Sequence, residues 1–216
     1  MRTVQIVAAE ATHRGILRLR LVGRRLDSSR YNIAPTQPIP VIRQHPKAPI
    51  RELSLMRWGL IPSWAKDPSA AAQMINARSE TAATKPAFRD PVKFRRCLIP
   101  ADGFYEWVKT GKAQQPCCFE INEGELFAFA GIWDRWKDPS GNWIKTCSIL
   151  TTAPNAVTSG VHDRMPVILD PDNYDLWLDP GMQNVAAASD LLKSLRRPPD
   201  EVLSGEHSDQ PCCERR

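Results

Sequence analysis

Short apolar segments, most of them closed by proline, glycine or asparagine, make up much of this chain. Nineteen of its 216 residues are prolines. Proline fixes φ and lacks an N–H, while glycine and asparagine favour turns, so elements bounded by these residues are short. Runs of this kind that are rich in β-branched and aromatic residues predict strands. The predicted strands are Tyr31–Gln44 (an edge strand or extended segment), Leu53–Trp58, Cys97–Ile99, Gly103–Val108, Pro116–Ile121, Leu126–Trp136 and Trp143–Thr152.

Helical signals are fewer and shorter. Ser69–Thr84 is rich in alanine and is predicted to be helical in at least part of its length. Asp172–Leu178 and Val185–Leu192 are predicted short helices, and Gly59–Pro68 a loop. Many short strands with few helices predict an α+β fold. We expect one domain over residues 1–216, built on a curled, barrel-like mixed or antiparallel sheet with flanking short helices.

Composition excludes several classes of protein. No run of eighteen apolar residues exists, which excludes a membrane-spanning helix, and Arg14, Arg18 and Arg20 interrupt any signal-peptide core, so we expect a cytoplasmic protein. None of the six cysteines forms a CxxC pair, so we expect free thiols and neither a metal site nor a cofactor.

The net charge of +5 arises in residues 1–30, which carry seven Lys or Arg against two Asp or Glu. Charge alone is therefore weak evidence for nucleic-acid binding.

Three segments are polar where a core would be apolar: Ile75–Thr81, Pro100–Trp107 and Val161–Pro166. Each contains one residue with both an ordinary and a functional interpretation. Asn76 fits a helix cap, Glu106 a solvated strand face, and His162 a histidine with its hydrogen bonds satisfied. Considered singly, these residues indicate no particular chemistry.

Their flanking sequences are more specific. In order and spacing, seven phrases resemble the SRAP (SOS response-associated peptidase) family of abasic-site-processing proteins, over about residues 30–193. The phrases are YNIAPTQ (31–37), WGLIPSWAKD (58–67), INARSETAAT (75–84), CLIPADGFYEW (97–107), FAFAGIWD (127–134), SILTTAPN (148–155) and VHDRMPVIL (161–169).

The resemblance implies a covalent chemistry on abasic sites in single-stranded DNA. In the family, a cysteine exposed by removal of the initiator methionine captures the sugar aldehyde through its α-amine and thiol, giving a stable thiazolidine crosslink. Glu106 matches the family glutamate that moves protons in this reaction. His162 matches the histidine that assists proton transfer to the sugar ring oxygen, and Asn76 matches the asparagine that positions nucleophile and lesion.

The resemblance also implies DNA contacts. Arg78 and Arg164 match arginines that hold phosphates, although internal salt bridges to Glu80 or Asp163 are the alternative. Trp64 matches a tryptophan that stacks near exposed bases, with core packing as the alternative. Thr151 is a weaker candidate for a phosphate or sugar contact. The family often has a second aromatic residue after this tryptophan, whereas this chain has Ala65 at that position.

The N-terminus departs from the family, which begins Met-Cys-Gly-Arg. Here Met1 is followed by Arg2, Thr3 and Val4, and no cysteine occurs before Cys97. If Met1–Gln5 is encoded ATG CGG ACG GTA CAG, a shift of one base gives Cys-Gly-Arg-Tyr. A similar shift after Glu201 allows Tyr-Pro-Val-Ser-Thr-Arg, a closing segment of the family. We hypothesise that residues 2–26 and 194–216 are out-of-frame translations, with a diverged N-terminus as the alternative.

Three functions remain open at this stage. The first is an abasic-site-processing enzyme, or a descendant of one that lacks the nucleophile. The second is a non-catalytic binder of single-stranded or damaged DNA. The third is an unrelated thiol hydrolase using Cys147 or Cys97 with His162, which is disfavoured because both cysteines lie in apolar strand patterns that predict burial. The resemblance further implies a monomer.

Overall fold

A computed structural model describes residues 5–8, 19–21, 30–45, 47–110, 113–121, 125–192 and 203–207. These residues form two sheets with short helices around them. The strands are β1 (Gln5–Ala8), β2 (Leu19–Leu21), β3 (Arg30–Ile33), β4 (Pro38–Gln44), β5 (Arg51–Trp58), β6 (Asn76–Arg78), β7 (Arg96–Ala101), β8 (Gly103–Thr110), β9 (Ala113–Ile121), β10 (Phe127–Lys137), β11 (Trp143–Thr152), β12 (Met165–Pro166) and β13 (Leu203–His207).

Five strands close into a barrel in the order β11, β10, β7, β4, β5 and back to β11. The first four pairings are antiparallel. The closing pair, β5 with β11, is parallel and joins Arg57 to Thr146 and Trp58 to Cys147. Closure leaves no free edge within the ring, so that none of its five strands ends the sheet as an exposed edge. The predicted barrel-like α+β sheet is thus confirmed.

The second sheet runs in the order β13, β9, β8, β1, β3, and all its pairings are antiparallel. Its central hairpin joins β8 to β9 over the full length of β8, with Glu106 opposite Cys117. Strand β8 follows β7 after the single residue Asp102, so the chain passes directly from the barrel into this sheet. That junction brings Glu106 close to the end of the barrel.

In the ranges that the structure describes, four α-helices and two 3₁₀ segments cover the outside. The helices are α1 (Ser79–Ala82), α2 (Arg89–Phe94), α3 (Tyr174–Leu178) and α4 (Val185–Leu191), and the 3₁₀ segments are Ser69–Gln73 and Pro171–Asn173. The predicted helices near residues 172–178 and 185–192 are confirmed. Ser69–Thr84 is helical only in part, as predicted, but strand β6 interrupts it.

Alternation along the strands separates two cores. On β10, Phe127 and Phe129 belong to an inner cluster, while Ala128 and Ala130 belong to an outer one. The inner cluster fills the barrel and one face of the second sheet, because Phe104 and its stacked partner Phe119 (ring centroids 5.2 Å apart) lie in it. The outer cluster packs the helices against the barrel wall, with the fully buried Trp177 of α3 donating its indole N–H to the Cys97 carbonyl at 2.9 Å.

Cys97, Cys117 and Cys147 are buried thiols, whereas Cys118 is disulfide-bonded, so the expectation of free thiols is wrong for Cys118. In the part of the chain that the structure describes, no helix has the length and apolarity to cross a membrane. Most of the segments assigned to a shifted frame, residues 2–26 and 194–216, lie outside the described residues, as do Cys212 and Cys213.

Gly59 follows β5 where the barrel closes, and we expect its replacement by alanine to destabilise the fold. Its φ is +125°, and an added Cβ would lie 2.7 Å from the Ala71 carbonyl oxygen. Both the strained backbone and the clash oppose a side chain, so Gly59→Ala should lower the free energy of unfolding by about 2–4 kcal/mol in urea titrations. Gly160→Ala is the matched control, because nothing lies within 4 Å of its added Cβ. Equal effects at the two positions would refute this account.

Candidate active site

A cavity of about 230 Å³ is lined by polar side chains from separate parts of the chain. It lies where the C-terminal end of β11 meets β6, β8 and the loop before β12. The lining residues are Asn76, Arg78, Glu106, Thr151, His162, Arg164 and Met165. The structure therefore brings together six of the seven site residues predicted from the sequence, and only Trp64 lies elsewhere.

Asn76 and Arg78 are placed by strand β6, which pairs in parallel with β11. Ala77 between them is buried in the outer core, and because side chains alternate along a strand, its two neighbours face the opposite side. The helix-cap interpretation of Asn76 is therefore wrong. Its Oδ1 is buried and makes no hydrogen bond among the described residues, so this amide is open to a bound molecule.

Glu106 lies on β8 and is only 3% exposed, which excludes a solvated strand face. Phe104, two residues earlier, points into the inner core, so Glu106 continues the same face to the point where the core ends at the cavity. Burying a carboxylate is costly. A buried carboxylate beside a cavity is typical of functional sites, where stability is often sacrificed for function.

His162 is held by a loop with its own hydrogen bonds. The Asn155 side chain accepts from the Thr158 backbone N–H at 2.9 Å, and the Thr158 carbonyl accepts from the His162 N–H at 3.0 Å. The imidazole Nδ1 lies 2.9 Å from the Arg164 backbone nitrogen, 3.0 Å from the Arg164 carbonyl oxygen and 3.1 Å from an Asp163 carboxylate oxygen. It accepts from the backbone N–H in one tautomer and donates to an oxygen when it carries the proton. These contacts fix the ring through Nδ1. Nε2 is therefore the nitrogen that can face a bound molecule.

Arg164 forms a bidentate ion pair with Glu80, in which Nη1 donates to Oε1 and Nη2 donates to Oε2, each at 2.8 Å. Nη2 also donates to the Thr151 carbonyl at 2.5 Å. The salt-bridge alternative therefore holds for Arg164, although its partner Glu80 is half exposed. The hydrogen bond from Arg164 holds the pKa of Glu80 below its usual value. Arg78 is exposed and has no carboxylate within 4 Å among the described residues, so its guanidinium is available.

Trp64 is 65% exposed, so core packing is wrong for this residue. It does not line the cavity. Its loop is nevertheless rigidly attached: the Ser63 N–H donates to Asp134 at 3.0 Å, the Trp136 indole donates to the Ala65 carbonyl at 2.7 Å, and the Ile61 N–H donates to Thr146 at 2.9 Å. The loop thus presents an exposed aromatic ring on a fixed support.

Two features of the site carried no clear sequence signal. Met165 contributes an apolar wall, and its sulfur lies 3.7 Å from the Thr158 hydroxyl. The Asn155–Thr158 turn positions His162. The sequence indicates this turn only through Asn155, the last residue of SILTTAPN. Among the described residues, no cluster of His, Cys, Asp and Glu could hold a metal ion.

The thiol-hydrolase alternative is inconsistent with the position of the cysteines. Cys97 and Cys147 lie inside the barrel with no exposed surface, as their apolar surroundings predict. Burial raises the pKa of both thiols well above the usual value. A thiol that neither ionises nor reaches solvent is not a nucleophile.

Comparison with known proteins identifies the family of this chain. Residues 2–204 match the family model described as SOS response associated peptidase (SRAP). The chain belongs to the SRAP family. The match extends beyond residues 30–193, the range over which the sequence phrases were recognised.

Named relatives and solved structures support the same assignment. The chain is 45% identical to abasic site processing protein YoqW of Bacillus subtilis, over 79% of this chain and 74% of that protein. It is 31% identical to abasic site processing protein HMCES of Gallus gallus, over 85% of this chain and 65% of that protein. A Bordetella bronchiseptica crystal structure is 26% identical, with a TM-score of 0.79, over 97% of this chain and all of the other.

The Arg164–Glu80 pair should give a pH-dependent contribution to stability. Because the pKa of Glu80 is lowered in the folded state, the contribution is present above about pH 4.5 and is lost as pH falls through the folded-state value. The pair is partly exposed, so Glu80→Gln should cost only about 0.5–1 kcal/mol at pH 7. In urea titrations, the difference from the unmodified protein should shrink as pH falls below 4.5 and vanish once Glu80 is protonated in the folded state. Asp90→Asn, which removes an exposed charge on α2, is the control, and a pH-independent Glu80 effect would contradict the assignment.

Burial of Cys97 and Cys147 predicts their resistance to thiol reagents. In the native protein, a maleimide should modify either residue only as fast as the fold opens, and in urea both should react completely. Mass spectrometry of peptides after timed labelling measures this directly. Rapid native labelling of Cys147 would restore the thiol-hydrolase alternative.

Proposed function

We propose that this protein processes abasic sites in DNA, with the cavity beside β6 as the site that receives the lesion. The observation that carries the proposal is the convergence of Asn76, Glu106 and His162 on one cavity with two arginines at its margin. A volume of about 230 Å³ suits a sugar without its base. The names of the relatives, abasic site processing proteins, support the same reaction class.

The residues fit the proton transfers of aldehyde capture. An abasic sugar is mainly a closed ring, and opening it needs a proton on the ring oxygen, a role that suits Nε2 of His162. Addition of an amine to the aldehyde and loss of water require a group that both accepts and donates protons, which suits Glu106. The unpartnered Asn76 amide can orient the sugar or the amine by hydrogen bonds.

Covalent capture needs a nucleophile with an amine and a thiol. The amine would form a Schiff base with release of water, and the thiol sulfur would then add to the imine carbon to close a thiazolidine. In the sequence, Arg2 follows Met1, and the buried cysteines cannot act as this nucleophile.

We propose that crosslinking requires a Cys-Gly-Arg start, and that residues 2–26 and 194–216 derive from a shifted reading frame. Sequencing of the coding DNA tests the second statement: codons incompatible with the shifted peptides would eliminate it.

The DNA would be bound as a single strand by a single copy of the chain. Arg78, with no ion pair among the described residues, suits a phosphate on one side of the cavity. Arg164 can present a fixed guanidinium on the other side because Glu80 and Thr151 hold it. Exposed Trp64 offers a stacking surface for an unpaired base. The described part of one chain supplies the seven residues named above as lining the cavity, which is compatible with a monomer.

A non-catalytic DNA-binding role is the second candidate, and the presence of Arg2 where the family has cysteine favours it. The same cavity and arginines would then recognise the lesion without a covalent bond.

A denaturing gel separates the two candidates. The chain as printed and a variant with Arg2→Cys, Thr3→Gly and Val4→Arg are incubated with single-stranded DNA that carries an abasic site. We expect a shifted, covalent band only for the variant, after removal of Met1. A strand with a tetrahydrofuran analogue, which has no aldehyde, is the control and should give no band. A band from the chain as printed would disprove the need for the N-terminal cysteine.

Within the cysteine-bearing variant, Glu106→Gln and His162→Asn should slow crosslinking by about 10²- to 10⁴-fold, because each removes one proton-transfer group. Arg78→Gln should instead weaken DNA binding by about tenfold and leave the rate at saturating DNA nearly unchanged. Time courses over a range of DNA concentrations measure both quantities. Unchanged rates in the first two variants would remove the assigned roles.

A further inference from the structure

The hairpin of β10 and β11 carries a basic and aromatic surface far from the cavity. It consists of Arg135, Lys137, Trp143 and Lys145, here called the hairpin patch. The strand register places Arg135 opposite Lys145 and Lys137 opposite Trp143. Directly opposed residues, and residues two apart on one strand, share a face of the sheet, so the four side chains lie together.

The cations of this patch form no ion pair with a carboxylate among the described residues. Among the described residues, no carboxylate lies within 4 Å of the side-chain nitrogens of Arg135, Lys137 or Lys145. The neighbouring Arg43 differs, because it pairs with Glu52 and lies over the Trp133 ring. Like charges directly opposite each other, as in Arg135 and Lys145, destabilise a sheet. Burial lowers the pKa of Lys145 and the charge of Arg43 lowers it further, whereas the Glu52 carboxylate that pairs with Arg43 acts in the opposite direction.

Trp143 gives the patch an accessible ring. The side chain is 58% exposed, even though the Arg135 guanidinium lies 5.0 Å and the Lys137 ammonium 5.9 Å from the ring centroid. Cation–π contacts at exposed sites are weak, so they do not by themselves account for an unprotected indole on a hairpin. An exposed ring surrounded by cations matches the alternation of base and phosphate in a nucleic-acid strand.

The patch is separate from the candidate active site. Strand β11 begins at Trp143 and reaches the cavity at Thr151, eight residues later. At about 3.3 Å per residue, the two places are roughly 26 Å apart. A stacked strand rises about 3.4 Å per nucleotide, so roughly eight nucleotides would join them.

We propose that the hairpin patch is a second contact for single-stranded nucleic acid, which binds the strand that leaves the lesion cavity. Arg135, Lys137 and Lys145 bind phosphates, and Trp143 stacks on a base. This inference rests on the proposed function, because the nucleic-acid strand in question is the one whose abasic site occupies the cavity. An acidic peptide would use the cations but not the ring, so a nucleic acid fits the patch better.

Fluorescence anisotropy with two oligonucleotides tests the proposal. Each carries a central tetrahydrofuran site; one has six nucleotides, too few to reach from cavity to patch, and the other has twenty. In the chain as printed, Arg135→Gln with Lys137→Gln, and separately Trp143→Ala, should weaken binding of the long strand roughly five- to fiftyfold. Binding of the short strand should not change. The slope of log affinity against log salt for the long strand should fall by about 0.7 for each phosphate contact removed.

Arg89→Gln with Lys93→Gln is the matched control. These α2 residues also flank an exposed aromatic ring, since the Lys93 ammonium lies 5.0 Å from the centroid of half-exposed Phe94. The control should bind the long strand like the unmodified protein. Equal affinity of the patch variants and the control for the long strand would overturn the inference, as would equal weakening for both strands. Stronger displacement of the long strand by polyglutamate than by undamaged DNA would identify an acidic partner and also overturn it.

The same measurements distinguish the two proposals. If the short strand shows no preference for the abasic analogue over an undamaged sequence, the proposed function fails. The inference would still stand if the long strand depends on the hairpin patch. If the short strand shows the preference and the long strand ignores the patch, the inference alone fails.

Discussion

Closure of the barrel by the parallel pairing of β5 with β11 is the constraint on which the site depends. Trp58 ends β5 opposite Cys147, and the next residue, Gly59, donates its N–H to the Cys147 carbonyl at 2.9 Å. The buried Trp58 indole then donates to the Ile75 carbonyl at 2.9 Å. The segment that follows Ile75 forms β6, which pairs in parallel with β11. Asn76 on this strand lines the cavity. The backbone that closes the barrel and the backbone that positions the polar residues are therefore continuous.

Local sequence predicts the strands of the barrel but not this return. Alternation of apolar residues is sufficient for β10 and β11, whose two faces pack against different cores. Alanine-rich sequence around Asn76 favours helix, and β6 forms only because Ile149 and Thr151, more than seventy residues away, supply a parallel partner. Glu106 and His162 were identified by resemblance, since neither the burial of Glu106 nor the Asn155–Thr158 turn under His162 has a local pattern. Strand pairings between residues far apart in the sequence cannot be predicted from local sequence patterns.

The electrostatics of the cavity combine one free and one restrained arginine. Arg78 is exposed, whereas Arg164 gives two N–H groups to Glu80 and one contact to Thr151. An arginine held in this way loses little further side-chain entropy when it meets an anion, but Glu80 also cancels much of its charge. In the proposed function, Arg164 would thus orient a phosphate, while Arg78 and cations elsewhere on the surface would attract the strand. A net charge of +1 over residues 31–193 makes local placement more important than total charge.

Among the described residues, the seven that line the cavity lie between positions 76 and 165, on β6, β8, β11, β12 and the loop before β12. The hydrogen bonds that hold them come from the same region: Thr158 to His162, Glu80 to Arg164, and β11 to β6. Lesion recognition and covalent capture are therefore physically separable. A binding site that is preorganised without its nucleophile can still hold an aldehyde-bearing sugar, because orientation and hydrogen bonding do not require the bond to form. Under the function proposed above, the described fold would recognise the lesion, and the residue exposed at the N-terminus would determine whether the bound lesion is also captured covalently.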